Sequence, residues 1–218
     1  ATGIVRTVYE LLALFCHDPL YDIIPNMGGG DCLFLAIGVA LRKPVSFFRT
    51  LVSESTPDER YHQSRELYTQ GYKENNRMLL QDLGFMRRIH SPDALRQFMR
   101  TPGYWGDEMA IDIIEQHLRV KLLILDTRRA NAGRSPCVFQ TIKTPFAPRY
   151  YVMLSYNGSH YELITYNGQA LFTLYDLPMA IYILFSLPGG NMRSMLRGWN
   201  ARGTRLVRHY ARTSTPHS

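Results

Sequence analysis

Apolar positions in the first half of the chain recur at helical spacing. Residues 5–15 carry apolar side chains along one side, which predicts an amphipathic first helix, and the prolines at positions 19 and 25 then interrupt the chain. Residues 32–41 are apolar on nearly every side, as in a helix buried in a core. The polar stretch 57–90 is rich in helix formers, and residues 107–118 place Met, Ile and Leu at helical intervals. We therefore expect a helical first half.

The pattern changes to short apolar and β-branched runs after residue 119. Two Asn-Gly pairs, at positions 157–158 and 167–168, are turn signals of β-hairpins. A last apolar helix is expected over residues 176–187, before a Pro-Gly-Gly linker. Predicted strands cover residues 120–125, 137–142, 149–156, 160–166 and 170–175. These elements predict an α+β fold, with a central, mostly antiparallel sheet flanked by helices.

Length and charge divide the chain into a body and a tail. With 218 residues and 45% hydrophobic content, the chain can bury a sizeable core. The net charge is +7, and all but one unit of it comes from six arginines that follow the last acidic residue, Asp176. We therefore expect a nearly neutral domain over residues 1–188 and an arginine-rich tail over residues 189–218. Such a tail could bind nucleic acid electrostatically, or it could simply be solvated.

The cysteine and histidine spacings predict neither a disulfide framework nor a metal site. The three cysteines are far apart, and the seven histidines form no pair at a ligand spacing, so no metal or other cofactor is expected. No apolar run approaches the roughly 20 residues of a transmembrane helix. A cytoplasmic, reducing compartment suits this cysteine usage, which for a viral or secreted protein would be the cytoplasm of the host cell.

The glycine-rich turn before the buried helix is the first candidate for chemistry. Cys32 lies at the predicted helix N-terminus, where the helix dipole and a nearby imidazole can lower the pKa of a thiol from about 8.5 to roughly 3.5–7.5. The main-chain N–H groups of Gly29, Gly30, Asp31 and Cys32 could stabilise an oxyanion, since glycines permit a sharp turn. A phosphate could occupy such a turn as well, although the sequence lacks the ending of a P-loop.

His160 is the candidate general base for this thiol. It begins a predicted strand directly after an Asn-Gly turn. Because residues i and i+2 of a strand face the same side, Glu162 can stand beside it and orient the imidazole. Asn157 is an alternative third residue. Taken alone, Cys32 could be a small buried hydrophobe and His160 a structural histidine, so the hypothesis rests on their joint occurrence.

Three motifs together resemble the ovarian-tumour (OTU) family of cysteine proteases. OTU proteases carry a Gly-Asp-Gly-Asn-Cys-Leu-Phe type motif, a Trp-Gly-Asp/Glu segment that opens a helix, and a closing His-Tyr or His-Phe followed by a polar residue. Residues 28–34 read Gly-Gly-Gly-Asp-Cys-Leu-Phe, residues 104–108 read Tyr-Trp-Gly-Asp-Glu, and residues 160–162 read His-Tyr-Glu. Their order and separation fit the family over about residues 25–166.

The resemblance implies a papain-like OTU fold and a deubiquitinase. Cys32 would form an acyl-enzyme during hydrolysis of the peptide or isopeptide bond that follows the C-terminal glycine of ubiquitin, and His160 would transfer the proton. Trp105 and Tyr161 would shape the substrate groove. The expected partner is ubiquitin, polyubiquitin or a ubiquitin-like modifier.

Two positions depart from the family pattern, and two other functions remain open. Gly29 stands where OTU proteases usually have Asp, and Glu162 stands where they usually have Asn or Asp. One alternative is a protease of the same fold that processes a polyprotein, such as a viral one. The other is a non-catalytic OTU-like module that binds nucleic acid through its basic tail.

Overall fold

The computed structural model describes residues 18–138 and 146–187 of the chain. The predicted first helix, most of the predicted strand 137–142 and the arginine-rich tail lie outside these residues. The boundary at residue 188 therefore stays a prediction.

Helices make up most of the first half, as the apolar spacing predicts. Helix α1, Cys32–Leu41, follows directly on a 3₁₀ turn, Gly29–Asp31, and its buried residues lie on nearly every side. The predicted N-cap of the helix over residues 108–118 is confirmed, since the Asp107 carboxylate accepts a hydrogen bond from the Ala110 N–H at 3.0 Å. The other helices are α2 (Val45–Ser55), α3 (Asp58–Lys73), α4 (Arg77–Asp82), α5 (Pro92–Met99) and α6 (Glu108–Leu118), with a second 3₁₀ turn at Gly84–Arg88.

The sheet has five strands, of which four come from the second half of the chain and one, at an edge, from its early part. The strands are β1 (Tyr21–Ile24), β2 (Val120–Asp126), β3 (Cys137–Val138), β4 (Tyr150–Tyr156) and β5 (Tyr161–Tyr166). The sheet order is β1-β5-β4-β2-β3, in which β2 and β4 pair in parallel and the other neighbours are antiparallel. Two short helices, α7 (Thr127–Asn131) and α8 (Met179–Leu184), complete the described fold.

Both faces of this sheet are covered, which explains why its strands read as nearly continuous apolar runs. Alternate residues of β2 point to opposite faces. Leu122 and Ile124 pack with helices α1, α2, α5 and α6 in one core. Leu123 and Leu125 pack with α8 in a second core. The predicted α+β class and the mostly antiparallel sheet flanked by helices are confirmed.

Three expectations about individual elements were incomplete or wrong. The strand predicted over residues 170–175 is reduced to one bridge, between Tyr151 and Phe172. The chain curls there because the Asp176 carboxylate accepts from the main-chain N–H and the hydroxyl of Thr173, at 2.5 and 3.0 Å. The prolines at positions 19 and 25 were expected simply to break the chain, but they flank strand β1. Helix α2 was not predicted at all.

Within residues 18–138 and 146–187, no helix combines the length and the apolar content that crossing a bilayer requires.

Candidate active site

Cys32 is the first residue of α1, at the end of the glycine-rich turn. Its side chain is only 4% exposed and its thiol is free. The Asp31 carboxylate does not cap the helix, although Asp31 occupies the N-cap position. The Cys32 N–H donates back to the carbonyl oxygen of Gly29 and closes the 3₁₀ turn. The thiol therefore lies in the field of a helix N-terminus, where negative charge is favoured.

His160 lies at the end of the turn that connects β4 to β5. The side-chain oxygen of Asn157 accepts from the main-chain N–H of Ser159 at 3.1 Å and from that of His160 at 2.9 Å. These bonds form an Asx-type turn that fixes where the histidine enters the strand. They also occupy the Asn157 oxygen, so this alternative third residue serves the main chain of the turn.

The two ring nitrogens of His160 face different neighbours. A Cβ atom placed on Gly28 would lie 3.5 Å from both Nδ1 and Cε1 of the imidazole, so this edge of the ring lies against the turn that leads into Cys32. On the other side, Nε2 is 3.8 Å from Oε2 of Glu162. That separation is an ion-pair distance and exceeds the usual hydrogen-bond length of about 2.7–3.2 Å. The predicted i and i+2 arrangement of His160 and Glu162 is therefore present.

Asn26 links the cysteine segment to the histidine strand, and sequence reasoning missed it. Its side-chain N–H₂ donates to the carbonyl oxygen of Tyr161 at 2.8 Å and to that of Cys32 at 3.4 Å. Its side-chain oxygen accepts from the Gly28 N–H at 3.0 Å. The only local signal was an Asn two residues before a glycine, which is typical of an Asx-turn. The contact with Tyr161 joins residues that are 135 positions apart in the sequence.

The glycines of the predicted oxyanion turn meet two different constraints. Gly29 has a φ of +76°, in the left-handed region that favours glycine, and nothing lies within 4 Å of where its Cβ would be. Gly30 has no room for a side chain, because a Cβ there would lie 1.7 Å from the carbonyl oxygen of Pro102. Trp105 Cδ1 would be 3.1 Å from the same atom. The turn therefore packs directly against the segment that carries Trp105.

An open groove of about 1100 Å³ runs past Cys32. Trp105, which is 52% exposed, lines it, as does Tyr161, whose ring stacks on Tyr156 with centroids 4.4 Å apart. Burial raises the pKa of Tyr161 above its usual range, so its hydroxyl stays protonated near neutral pH. Further lining residues of the groove include Gly30, Leu33, Tyr104, Gly106, Arg128, Gly158 and Ser159.

The predicted site residues therefore fall into one region of the structure. The cysteine turn, the Trp105 segment and the histidine hairpin each contribute residues to the groove lining, whereas the ring of His160 lies against Gly28 and is not itself part of that lining. In the parts of the chain that the structure describes, no group of three or more His, Cys, Asp or Glu side chains is placed to hold a metal ion. The thiol of Cys32 and the imidazole of His160 are suited to proton transfer, and the main-chain N–H groups of the glycine turn are suited to stabilising negative charge.

Comparisons with known proteins find similar solved structures. No family model matches the chain, and no curated protein matches it. An OTU domain solved in complex with ubiquitin is 20% identical, with 87% of this chain and 89% of that chain covered and a TM-score of 0.46. The OTU domain of OTUD1 is 14% identical, with coverages of 72% and 93% and a TM-score of 0.41.

A viral example is among these structures too. The OTU domain protease from Qalyub virus is 13% identical, with 67% of this chain and 84% of that chain covered and a TM-score of 0.34. These three structures are OTU domains.

Proposed function

We propose that this protein is a thiol-dependent hydrolase of the OTU type that cleaves the peptide or isopeptide bond after the C-terminal glycine of ubiquitin. Cys32 is the nucleophile, His160 the general base and Glu162 the residue that orients the imidazole. One observation carries the proposal: the imidazole of His160, from the late hairpin, lies against Gly28 in the turn that leads into Cys32. We assign the catalytic unit to residues 1–188 and treat residues 189–218 as an appended tail.

The first half-reaction forms an acyl-enzyme. His160 accepts the thiol proton through the nitrogen that faces the glycine turn, and the sulfur of Cys32 attacks the scissile carbonyl carbon. Negative charge then develops on the carbonyl oxygen. The main-chain N–H groups of Gly29, Gly30, Asp31 and Cys32 are the candidate oxyanion donors, and those of Asp31 and Cys32 also belong to the 3₁₀ turn. The imidazolium returns its proton to the departing amine as the C–N bond breaks.

Water completes the cycle. His160 removes a proton from the water, the resulting hydroxide attacks the thioester carbon, and the C–S bond breaks. The thiolate recovers the proton, and ubiquitin leaves with a free C-terminal carboxylate. Glu162 stabilises the imidazolium in both half-reactions through its 3.8 Å contact with Nε2.

The shape of the groove supports an extended C-terminal tail as the substrate. Trp105 and Tyr161 contribute aromatic rings to the lining of the same groove as Cys32. Gly30 and Gly158 contribute only main chain to the lining, so a substrate can approach the backbone closely there. A tail that ends in glycine has no side chain to obstruct such an approach. A reducing compartment would keep the Cys32 thiol available.

A ubiquitin probe with a C-terminal electrophile tests this proposal. We expect the wild-type protein to form a covalent adduct, and peptide mass spectrometry to place it on Cys32. The Cys32→Ala variant should form none, and His160→Ala should react far more slowly. Absence of an adduct on the folded wild-type protein would overturn the proposal, as would an adduct that persists in Cys32→Ala.

Parallel probes distinguish the alternatives. Adducts with ubiquitin-like probes but not with ubiquitin would change the modifier class. Cleavage of a segment of the parent chain, without reaction with any modifier, would favour polyprotein processing. Salt-sensitive nucleic-acid binding that is lost on truncation after Pro188, together with an unreactive Cys32, would favour the non-catalytic module.

A further inference from the structure

A buried arginine behind the cysteine turn has no place in the mechanism described so far. Arg49 lies on α2 and is only 4% exposed. Burying a guanidinium is costly unless its donors are satisfied. Each of its five N–H groups donates a hydrogen bond. The acceptors are Oδ1 of Asp31 (2.9 Å from Nε and 2.6 Å from Nη2) and the carbonyl oxygens of Met99 (3.0 Å), Tyr104 (3.0 Å) and Gly30 (3.1 Å).

These acceptors belong to the two segments that meet at the thiol. Asp31 and Gly30 are in the turn that precedes Cys32, whereas Tyr104 adjoins Trp105 of the groove wall. A single guanidinium therefore connects the cysteine turn to the Met99–Tyr104 segment, which leads into Trp105. The planar guanidinium is also held in position by the ring of Phe34, because the Arg49 Cζ lies over this ring, 4.8 Å from its centroid.

The bond to the Gly30 carbonyl, together with the 3₁₀ turn, sets the direction of a main-chain donor. In a trans peptide, the C=O and N–H groups of one plane point in opposite directions. No cis peptide occurs among the described residues. Because the Gly30 carbonyl points inward to Arg49, the N–H of Asp31 in the same peptide plane points away from Arg49. The Asp31 side chain is turned inward as well, so it does not compete for the helix N-terminus.

We propose that Arg49 is a positioning residue that holds the Asp31 N–H in the orientation needed to stabilise the oxyanion, with Asp31 as its counter-ion. This inference rests on the function proposed above. Asp31 then acts as the counter-ion of Arg49. It does not replace the aspartate that OTU proteases usually have three places before the nucleophile, where this chain has Gly29. Arg49 acts through the turn and does not touch the substrate.

Lysine cannot replace this arrangement. An ammonium group keeps the charge but offers only three donors from one point, so it cannot reach Asp31, Gly30 and the Met99–Tyr104 segment together. Loss of a single oxyanion donor typically lowers kcat by about 10²–10³-fold. For a donor that is misdirected but still present, we expect Arg49→Lys to lower kcat by about 10–100-fold, with little change in KM.

Two reactions of the same thiol separate positioning from general damage. Hydrolysis of a fluorogenic C-terminal amide of ubiquitin passes through an oxyanion. Alkylation of Cys32 by iodoacetamide is a displacement at carbon that forms no oxyanion, so its rate and pH profile report the thiol and imidazole alone. We expect Arg49→Lys to lower kcat and to leave both the alkylation rate at Cys32, followed by peptide mass spectrometry, and its pH profile unchanged.

A second arginine provides the matched control. Arg96 pairs with the carboxylates of Asp58 and Asp93 and donates to the Thr56 carbonyl at 3.0 Å, outside the groove lining. Arg96→Lys should leave kcat and the alkylation rate unchanged. Asp31→Asn keeps the shape of the counter-ion but removes its charge. It should lower kcat less than Arg49→Lys does, again without an effect on alkylation, and it carries the test if Arg49→Lys does not fold.

The outcomes are distinct. Wild-type kcat in Arg49→Lys, or in Asp31→Asn where Arg49→Lys is unfolded, would overturn the inference and leave the proposed function intact. Equal losses of hydrolysis and alkylation would also overturn it, since they would show a structural role. A folded wild-type protein that cleaves no ubiquitin substrate would overturn the proposed function, and the inference with it.

Discussion

Replacing Asn26 by alanine should loosen the contact between the cysteine turn and the histidine strand. The change removes the bonds to the carbonyl oxygens of Tyr161 and Cys32 and to the Gly28 N–H, which measure 2.8, 3.4 and 3.0 Å. An intramolecular hydrogen bond contributes about 0.5–1.5 kcal/mol net, and the two shorter bonds dominate here. Since the groups are only partly buried, water can reach some of them, and we expect a loss of about 2 kcal/mol in the free energy of unfolding.

Activity should fall together with stability in this variant. A displacement of about 1 Å between reacting groups can cost about 10²-fold in rate. Because Asn26 binds the residue directly after His160, we expect a decrease of at least about 10-fold in kcat. Urea unfolding measures the first quantity, and hydrolysis of the fluorogenic ubiquitin amide measures the second.

Asn76→Ala is the matched control for this experiment. Its side-chain oxygen accepts one bond, from the Leu79 N–H at 3.3 Å, and caps α4 on the exposed surface. Loss of an N-cap costs about 0.5–2 kcal/mol, and a long, exposed bond belongs at the lower end of that range. This variant should keep wild-type kcat. If Asn26→Ala also kept wild-type kcat, or lost no more stability than the control, the assignment of Asn26 as the link between the two segments would be refuted.

Two further predictions concern the turn and the core. Gly30→Ala should lower the free energy of unfolding by at least about 3 kcal/mol, because its Cβ would overlap the carbonyl oxygen of Pro102. Gly29→Ala should cost only about 1–2 kcal/mol, since its sole strain is a left-handed backbone. Equal melting temperatures of the two variants would contradict this prediction. Burial raises the pKa of Glu115 from 4.5, against the opposing effect of Lys121. The stabilisation from the protonated carboxyl is fully present below the pKa of Glu115 in the unfolded chain, and it is lost as the pH rises through its pKa in the folded protein. Glu115→Gln should therefore flatten the decline in the free energy of unfolding between acid and neutral pH, measured by urea unfolding. An unchanged slope would disprove this prediction.

Elements whose signal is local could be predicted from the sequence. Helix α1 is apolar on nearly every side, and α6 starts at an Asp that caps it, so both were evident from a few neighbouring residues. The β2 run was equally clear because the strand is buried on both faces. Cys32 is the first residue of α1, as predicted, whereas His160 directly precedes β5 and does not begin it.

Elements whose stability comes from distant partners could not be predicted in this way. Strand β1 has four residues and exists because it pairs with β5, with Ile23 opposite Ile164. The parallel pairing of β2 and β4 depends on a connection of more than 20 residues and leaves no periodic signal. Residues 170–175 show the converse, since an apolar pattern typical of a strand was overridden by the hydrogen bonds that Asp176 makes.

The polar residues that hold the candidate site together show the same limitation. Asn26 and Arg49 bind groups that are up to 135 and 55 positions away, and neither lies in a motif that the sequence alone would mark. Both mainly bind main-chain atoms, which every residue possesses, so their partners cannot be recognised by residue type. The motifs identify the groups proposed to react, but the groups that hold them in place emerge only from the fold.

The third member of the proposed triad illustrates how the fold narrows an open choice. Asn157 and Glu162 were both candidates to orient His160. The oxygen of Asn157 accepts from the main-chain N–H groups of Ser159 and His160, so moving it to the imidazole would break the turn that places the histidine. Glu162 faces Nε2 at 3.8 Å, and its three rotatable bonds allow the carboxylate to approach the ring further as positive charge develops there. A carboxylate stabilises an imidazolium more strongly than an amide does, so the longer side chain at this position is compatible with an active enzyme.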